Sequence, residues 1–383
     1  MKRSALLFSA LLVGAASAAN AQGLSMQMSN GWNFSFAGNV NIFAQYQSVS
    51  SSNNATGSPG QLVGGGPAKG FYYGTGLLPA FATFTASGKE GNTDLGAHFG
   101  FAPQVQCGGG AHDCFGAQID MRQVFMTVGG SWGMITAGKE LGVYQRQNIL
   151  NDQTLFGVGG GGIAPSGTTL GRIGYGYIYP NFIAQMTYTT PAGRPGSLSI
   201  GLMDPSDFDV YTVHTTPRVE AEGSYTSGGF KVFASGTVQN SKDAPSGGSS
   251  KTAVGGAGGV VYKAGTFTVV ASGYAGKGLG TTLLFGGLAG DGAGNLSSSY
   301  GYIGQVTYTA GKATLAGSYG SSFLKDDAKT FKTENSLISG GIYYQATKSL
   351  KVVGEGNYAW AKDKDGSGKN KAFTGAFGLM LFY

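Results

Sequence analysis

The C-terminal residues read Phe373-Thr-Gly-Ala-Phe-Gly-Leu-Met-Leu-Phe-Tyr383, a stretch that decides the fold. On an extended strand one face would carry Phe373, Gly375, Phe377, Leu379, Leu381 and Tyr383. A soluble protein with so apolar a terminal strand would expose an edge that promotes aggregation. A closed barrel in lipid removes the edge, because every strand in it is paired. The terminus therefore favours a membrane β-barrel.

The same alternation of apolar and polar residues recurs along the chain. It is visible in the segments 32–47, 94–101, 218–225, 300–308 and 350–360. A period of two residues is typical of a strand with two different environments on its faces. One face of each segment suits lipid, and the other suits water.

The composition supports a β-structured chain and excludes several other classes. Glycine accounts for 70 of 383 residues, aromatic residues for 12% and charged residues for 11%. A disordered chain would have more charge and fewer aromatic residues, and collagen would need glycine at every third position. A helical membrane protein needs apolar spans of about 20 residues, and none follows the N-terminus. Glycine at this frequency is also unfavourable in helices.

The N-terminus predicts a secretory signal peptide over residues 1–21. A short basic start at Lys2 and Arg3 precedes an apolar stretch from Ala5 to Ala16, and Ala19-Asn20-Ala21 matches a cleavage site. The alternative is a membrane anchor, for which the apolar stretch is too short. The net charge of +6 comes without clusters of lysine and arginine. We therefore expect an exported protein that binds no nucleic acid.

The connections between the alternating segments predict the number of strands. Eight long connections and seven short ones imply sixteen strands in one domain, residues 22–383. An even number of strands with short periplasmic turns and long external loops is typical of outer-membrane barrels. The alternative is a soluble β-sandwich, which has fewer strands than this chain supplies. The expected fold is an all-β, 16-stranded antiparallel transmembrane barrel.

A barrel of this size has an interior that strand side chains alone cannot fill. Sixteen strands about 4.8 Å apart give a diameter of roughly 30 Å. The lumen must therefore hold water or a folded segment. The third long loop, about residues 140–182, has the length and the mixed charge for that role, and it contains the run Gly157–Gly162. We expect it to fold inward; the alternative is a mobile external loop.

The segment from Arg122 to Lys139, followed by Glu140-Leu-Gly-Val-Tyr144, resembles the strands before loop three of Gram-negative general porins. The resemblance implies a homotrimeric outer-membrane channel for passive diffusion of small hydrophilic solutes and ions. It also implies an acidic loop three that faces basic residues on the wall. The candidate constriction residues are Arg122, Lys139, Glu140, Arg146, Asp152 and Arg172. Few further arginines lie on the strands, which departs from the family pattern.

Two other functions fit the same barrel. A substrate-preferring channel would use an aromatic track, for which Tyr144, Tyr175, Tyr177 and Tyr179 are candidates. A structural or adhesive surface barrel would have a blocked lumen. Neither the three histidines nor the glycine run forms a recognisable catalytic or nucleotide-binding motif. We therefore expect no enzymatic activity, no cofactor and no metal site.

The two cysteines, Cys107 and Cys114, bracket three glycines in the second long loop. A local disulfide is the expected outcome after export. The alternative is a metal pair with His112, which supplies too few ligands for a closed zinc site.

Overall fold

The computed structural model of the protein describes residues 23–51, 60–63, 69–105, 119–160, 168–244, 248–286, 288–325, 332–363 and 369–383. The proposed signal peptide (1–21), Cys107, His112 and Cys114 lie outside these ranges. In the described part, eighteen strand segments form one antiparallel sheet. They are β1 Leu24–Gln27, β2 Asn33–Ser51, β3 Lys69–Gly74, β4 Phe81–Glu90, β5 Thr93–Pro103, β6 Ile119–Gly130, β7 Gly133–Leu141, β8 Phe182–Thr189, β9 Gly196–Met203, β10 Arg218–Ser227, β11 Phe230–Lys242, β12 Ser250–Ala264, β13 Phe267–Lys277, β14 Ser298–Ala310, β15 Ala313–Lys325, β16 Lys332–Gln345, β17 Leu350–Lys362 and β18 Lys369–Phe382.

The sheet closes into a barrel with sixteen strand positions. Strand β18 pairs with β2, which joins the two ends of the sheet. Both β3 and β4 pair with β2, so together they form one interrupted wall strand. The short β1 pairs with the start of β2 and continues the line of β18 beyond Tyr383. The prediction of a 16-stranded antiparallel barrel is confirmed.

The two faces of each strand differ as the sequence pattern predicts. On β2, Val40 and Ile42 point outward and are 50% and 40% exposed, whereas Asn39 and Asn41 point inward and are buried. The C-terminal strand follows the same rule, with Phe377 and Leu379 outward. Apolar residues therefore cover the outside, where they face lipid.

The strands are joined by short turns at one end and by long loops at the other. The eight long and seven short connections confirm the predicted organisation. Barrels in outer membranes place the long loops outside and the short turns in the periplasm. Within the described residues, none of the helices has the length and apolarity needed to span a bilayer.

One inward detour was not apparent in the sequence. The six residues between β3 and β4, 75–80, leave the wall and enter the lumen. There Asn41 donates to the carbonyl of Leu78 (2.9 Å) and accepts from the N–H of Gly76 (2.9 Å). Leu77 and Leu78 are buried against residues of the third long loop. The detour therefore narrows the lumen from one side.

Candidate functional site

The connection between β7 and β8 (loop three, residues 142–181) folds into the barrel. Its described part contains a short helix, α1 Arg146–Leu150, and a 3₁₀ helix, Gln153–Phe156. Most of its anchors are inward residues of β10–β17 (the loop-bound wall). The prediction that this loop folds inward is confirmed.

Glu355 on β17 is the deepest anchor of loop three. Its Oε1 accepts the backbone N–H groups of Val158 (3.1 Å) and Gly159 (2.6 Å). Its Oε2 accepts the hydroxyl of Tyr343 (2.7 Å), and Asn357 donates to Oε1 (2.8 Å). Four donors around one carboxylate fix both the carboxylate and the loop, because charge-assisted hydrogen bonds are the stronger class.

The glycine run of loop three makes this contact possible. A Cβ atom on Gly157 would collide with the Glu355 carboxylate. Gly159 adopts φ +64° and packs directly on Gly171, where a side chain has no room. The described glycines of the run thus permit a close approach of backbone to carboxylate. They mark a docking point of the loop.

Glu220 on β10 holds the start of loop three. Its Oε2 accepts the N–H groups of Val143 (2.7 Å) and Tyr144 (2.8 Å). Its Oε1 lies 3.0 Å from Nε of Arg218, and both side chains are almost fully buried. The guanidinium also lies over the ring of Phe285. A buried carboxylate needs such partners to remain charged.

Glu222, also on β10, pairs with the helix α1. Arg146 places Nη2 2.8 Å from Oε1 of Glu222, and Gln147 donates to the same oxygen (3.1 Å). The carboxylate of Glu222 and the guanidinium of Arg146 are both largely buried. The ion pair therefore fixes α1 against the wall.

Arg172 anchors the returning half of loop three. Its guanidinium donates to the carbonyls of Leu337 (3.1 Å) and Ser318 (2.8 Å), and the side chain is fully buried. Burial lowers the pKa of Arg172, and the nearby carboxylates of Asp152 and Glu355 act in the opposite direction. The residue links loop three to β15 and β16.

Asp152 forms its hydrogen bonds within loop three. It accepts from the N–H and hydroxyl of Thr154 (2.9 and 2.7 Å), which caps the 3₁₀ helix. It also accepts the hydroxyl of Tyr177 (2.8 Å). Burial raises the pKa of Tyr177 well above its usual value, and the Asp152 carboxylate adds to the effect. Asp152 is 5% exposed and stabilises the loop itself.

Both the wall and the loop carry charges of both signs. The family resemblance implies an acidic loop facing a basic wall. In the structure the wall supplies Glu220, Glu222 and Glu355, while the loop supplies Arg146 and Arg172. Glu220 and Glu222 on β10 and Glu355 on β17 lie at inward positions, so the alternation of residues along each strand marks them as lumen residues. No motif distinguishes them from the other polar residues on the inward faces of their strands.

Arg122 reaches the lumen through an irregularity in β6. The register between β5 and β6 shifts at this residue, since Gly100 pairs with Gln123 and Phe101 with Met121. The guanidinium pairs with Asp120 (2.8 Å) and donates to the hydroxyl of Tyr179 (3.4 Å). Its side chain keeps 15% exposure. Arg122 is therefore inward, as expected for a wall residue.

Lys139 is a correction to the expected set. It pairs with Val124 and Ala184 on neighbouring strands, and Ala184 points outward. Its Nζ donates to the carbonyl of Met121 (2.7 Å) on the outer surface. Adjacent residues of a strand face opposite sides, so Glu140 points inward, where Gln123 donates to its carboxylate (2.9 Å). Lys139 does not line the lumen.

Two further long connections pack over loop three. Residues 278–297 contact it through Tyr179, whose N–H donates to Thr282 (2.8 Å) and whose carbonyl accepts from Leu284 (3.2 Å). Residues 204–217 contribute Phe208 and Tyr211 to an apolar cluster that also contains Tyr144 and Ile178 of loop three. The lumen next to β10–β14 is therefore filled with folded chain.

Loop three leaves the opposite part of the wall largely uncovered. There β4–β7 present small polar side chains (the hydroxyl wall: Thr85, Ser87, Thr127 and Thr136). A cavity of about 300 Å³ lies against it and reaches the short-turn end. His98 and Phe125 stack at this cavity with ring centroids 4.6 Å apart.

Two lysines of the loop-bound wall contact loop three. Lys231 on β11 donates to Oε1 of Gln147 (2.6 Å). Lys351 on β17 places its Nζ 3.7 Å from the centroid of Phe156. Within the described residues, no carboxylate lies within ion-pair distance of either ammonium group. Both lie toward the short-turn end of their strands.

The burial of the four candidate tyrosines argues against an aromatic track for solutes. Tyr144, Tyr175 and Tyr177 are fully buried in the packing of loop three. Burial raises the pKa of the fourth member, Tyr179, to about 12. These rings therefore stabilise the folded loop.

One histidine forms an arrangement that the sequence did not suggest. Nδ1 of His214 lies 2.8 Å from the hydroxyl of Ser241, and Nε2 lies 2.9 Å from Oδ1 of Asp207. A serine, a histidine and an aspartate in series can support hydrolysis. Ser241 is only 1% exposed, however, so a substrate cannot reach its hydroxyl in this arrangement. The contacts tie residues 204–217 to β11.

Comparison with known proteins agrees with this geometry. A family model described as Gram-negative porin matches residues 9–366. No curated protein sequence matches the chain. Similar folds are found in the outer membrane channel DcaP of Acinetobacter baumannii (16% identity, TM-score 0.68, covering 94% of this chain and 99% of that one) and an anion-selective porin from Comamonas acidovorans (14%, 0.62, 92% and 100%). OmpT of Vibrio cholerae in a trimer form is also similar (14%, 0.56, 92% and 100%). At these identities the likeness concerns the fold.

Proposed function

The chain belongs to the Gram-negative porin family and forms an outer-membrane channel for passive diffusion, and we propose that solutes cross it along the hydroxyl wall. The observation that carries the proposal is the one-sided anchoring of loop three. Its contacts to Glu220, Glu222 and Glu355 hold it against β10–β17. The space beside β4–β7 then remains as the route, and Arg122 and Glu140 are the predicted constriction residues that border it.

The other candidate constriction residues have a supporting role in this proposal. Arg146, Asp152 and Arg172 are buried in contacts that fold and anchor loop three. They act on the passage by fixing the position of the loop. The width of the passage, and hence its size limit for solutes, depends on them indirectly.

The channel is proposed to prefer anions weakly. Some lumen charges face a partner of opposite sign, as in the pairs Arg122–Asp120 and Lys89–Asp94. The carboxylates of Glu140, Asp152 and Glu355 are instead held by neutral donors. Lys231 and Lys351 leave positive charge at the short-turn side of loop three. Charged side chains along a pore bias the sign of the permeating ion. The anion-selective Comamonas porin, which shares the fold, is consistent with this sign.

Conductance in planar lipid bilayers tests the proposal. The full mature chain is expected to give stable, ohmic channels. In a KCl gradient, the sign of their zero-current potential should indicate a preference for chloride over potassium. Folded protein without any conductance would contradict the channel and favour a structural or adhesive barrel. Conductance that a particular solute blocks at micromolar concentration would favour a substrate-preferring channel.

Export and assembly complete the proposal. We propose cleavage after Ala21 and assembly into a homotrimer, as one similar structure has a trimer form. N-terminal sequencing of protein from outer membranes is expected to begin at Gln22. Light scattering of the detergent-solubilised protein should give three chains per particle. Enzymatic activity and a bound cofactor are not expected.

A further inference from the structure

Lys351 is a buried cation that the described structure leaves without a polar partner. The described part of the chain buries three lysine or arginine side chains, Arg172, Arg218 and Lys351. Arg172 donates to two backbone carbonyls, and Arg218 pairs with Glu220. For Lys351, none of the described residues supplies an oxygen within hydrogen-bonding distance of Nζ. An ammonium group has three donors, so its capacity to bind an acceptor is unused.

Two aromatic rings form a corner beside this ammonium group (the Lys351 corner: Lys351, Phe156 and Phe382). Nζ lies 3.7 Å from the centroid of Phe156. The rings of Phe156 and Phe382 meet nearly edge to face, with centroids 6.4 Å apart and planes at 72°. An aromatic face attracts a cation but carries no net charge. The ring therefore holds the ammonium group in place and leaves its charge unmatched.

Among the described residues, the neighbours of Lys351 offer no carboxylate to match that charge. The residues opposite it on the two adjacent strands are Gln345 and Met380, which are neutral. Glu355 lies four residues further along β17, or about 13 Å. Its carboxylate already accepts two N–H groups of loop three and the hydroxyl of Tyr343. The corner therefore combines an unmatched positive charge with an apolar surface.

The corner lies at the short-turn end of the barrel, below loop three. Lys351 is the second residue of β17, and Phe382 is the last residue of β18. Nζ is not one of the fully enclosed polar atoms that lack a partner, so it retains contact with solvent. The short turns of outer-membrane barrels face the periplasm. A solute that passes loop three therefore reaches the corner from the lumen.

We propose that the Lys351 corner binds an organic monocarboxylate with a flat apolar body, of which benzoate is the simplest probe. The carboxylate would accept hydrogen bonds from Lys351, and the apolar body would lie against Phe156 and Phe382. Inorganic anions lack the apolar body and neutral aromatic compounds lack the charge, so neither satisfies both parts of the corner. The inference rests on the proposed channel and names a class of solute that this channel would retain.

Planar-bilayer recordings of the full mature chain in KCl test the proposal. Benzoate is expected to reduce the single-channel conductance in a saturable manner, whereas benzamide and acetate should have much weaker effects. Lys351→Met should raise the half-blocking concentration of benzoate about tenfold, because a hydrogen bond to a charged group contributes about this factor. Phe156→Leu keeps an apolar side chain and removes the ring, so an increase of about threefold is expected.

Two lysine variants serve as controls. Lys231→Gln removes the other lysine that contacts loop three, whose Nζ already has an acceptor in Gln147. It should alter the zero-current potential without changing the half-blocking concentration of benzoate. Lys348→Gln, in an exposed short turn, should leave both unchanged. Equal block of the wild type and Lys351→Met would overturn the proposal, as would benzamide or acetate acting as strongly as benzoate.

Thermal unfolding in neutral detergent separates the benzoate site from the channel. Benzoate should raise the unfolding temperature of the wild type, and benzamide should not. Lys351→Met no longer buries an unmatched charge, so without benzoate it should unfold at the wild-type temperature or above it, and benzoate should not raise that temperature further. Barrels that respond in this way but carry no current would refute the channel alone. Open channels whose unfolding temperature is unaffected by benzoate would refute the benzoate site alone.

Discussion

The two sides of the lumen differ in how they use polar residues. The loop-bound wall presents carboxylates, and each of them accepts two or more donors, as Glu355 does from Val158 and Gly159. The hydroxyl wall presents threonine and serine, and Thr127 lines a cavity there. A buried charge fixes the surrounding structure because it must be paired and hydrogen-bonded. A hydroxyl group can donate to or accept from water as well as from protein groups. The difference indicates that one wall sets the shape of the passage and the other borders the solute.

The largest effect is expected from removing the anchor at the centre of the loop-bound wall. Glu355→Ala leaves the N–H groups of Val158 and Gly159 and the hydroxyl of Tyr343 without their acceptor. Unsatisfied buried groups cost about 1–3 kcal/mol each, so we expect a loss of about 3 kcal/mol or more in the free energy of unfolding. The freed loop should also make the single-channel conductance larger or more variable.

Urea titration in detergent and single-channel recording measure these two effects. Glu355→Gln is the matched control, because the amide oxygen retains an acceptor at nearly the same position. It should lose clearly less stability than Glu355→Ala. A stable Glu355→Ala variant with unchanged conductance would mean that loop three is held elsewhere.

Removing the ion pair between α1 and β10 should reduce the free energy of unfolding by less than Glu355→Ala does. Arg146→Met leaves the buried carboxylate of Glu222 without its cation, and Glu222→Met does the converse. Breaking a buried pair from one side costs about 3 kcal/mol, and a double replacement is often nearly neutral. We therefore expect each single variant to be clearly less stable than Arg146→Met/Glu222→Met.

A double-mutant cycle measures this coupling, with an expected interaction of about 1–3 kcal/mol. Additive losses would show that the two side chains act independently. Gln147 also donates to Glu222. Adding Gln147→Leu to each variant of the cycle therefore separates the energy of this neutral hydrogen bond from that of the ion pair between Arg146 and Glu222.

Much of the fold could be predicted because its determinants are local. The period of two residues fixed which face of β2 or β18 meets lipid, and the alternation of long and short connections gave sixteen strands. The interruption between β3 and β4 could not be predicted, since it depends on contacts of Leu77 and Leu78 with loop three, 77 or more residues away in the chain. Packing of this kind leaves no periodic signal.

The candidate site was less predictable than the fold. The family resemblance implies that Lys139 and Glu140 both line the pore, but strand alternation forbids two adjacent residues from sharing a face. Conversely, Arg122 faces inward only because of the bulge in β6. The partners of Arg146 and Arg172 lie on β10, β15 and β16. Contacts between such distant segments arise from closure of the barrel.

Replacing the two lysines that contact loop three, Lys231 and Lys351, is expected to change ion selectivity with little change in stability. Lys231→Gln and Lys351→Gln each remove one positive charge from the loop-bound wall. The zero-current potential in a KCl gradient should move toward cation preference with each replacement and furthest with both. Lys348→Gln, which alters an exposed residue in a short turn, is the control and should leave the potential unchanged. An unchanged potential in the double variant would place the selectivity elsewhere, with Arg122 as the next residue to replace.

The smallest effect on stability is expected on the hydroxyl wall. Thr127→Ala removes one hydroxyl that borders the cavity, and a replacement away from buried networks changes stability by about 0.5 kcal/mol or less. Thr127→Asp should be equally well tolerated, yet it adds a negative charge beside the proposed route and should shift the zero-current potential toward cations. Thr309→Asp, near the short turn after β14 and on the far side of the barrel, serves as the control. A loss of stability in Thr127→Ala comparable with that of Glu355→Ala would show that both walls hold the fold. Wild-type selectivity in the Thr127→Asp channel would move the route away from β4–β7.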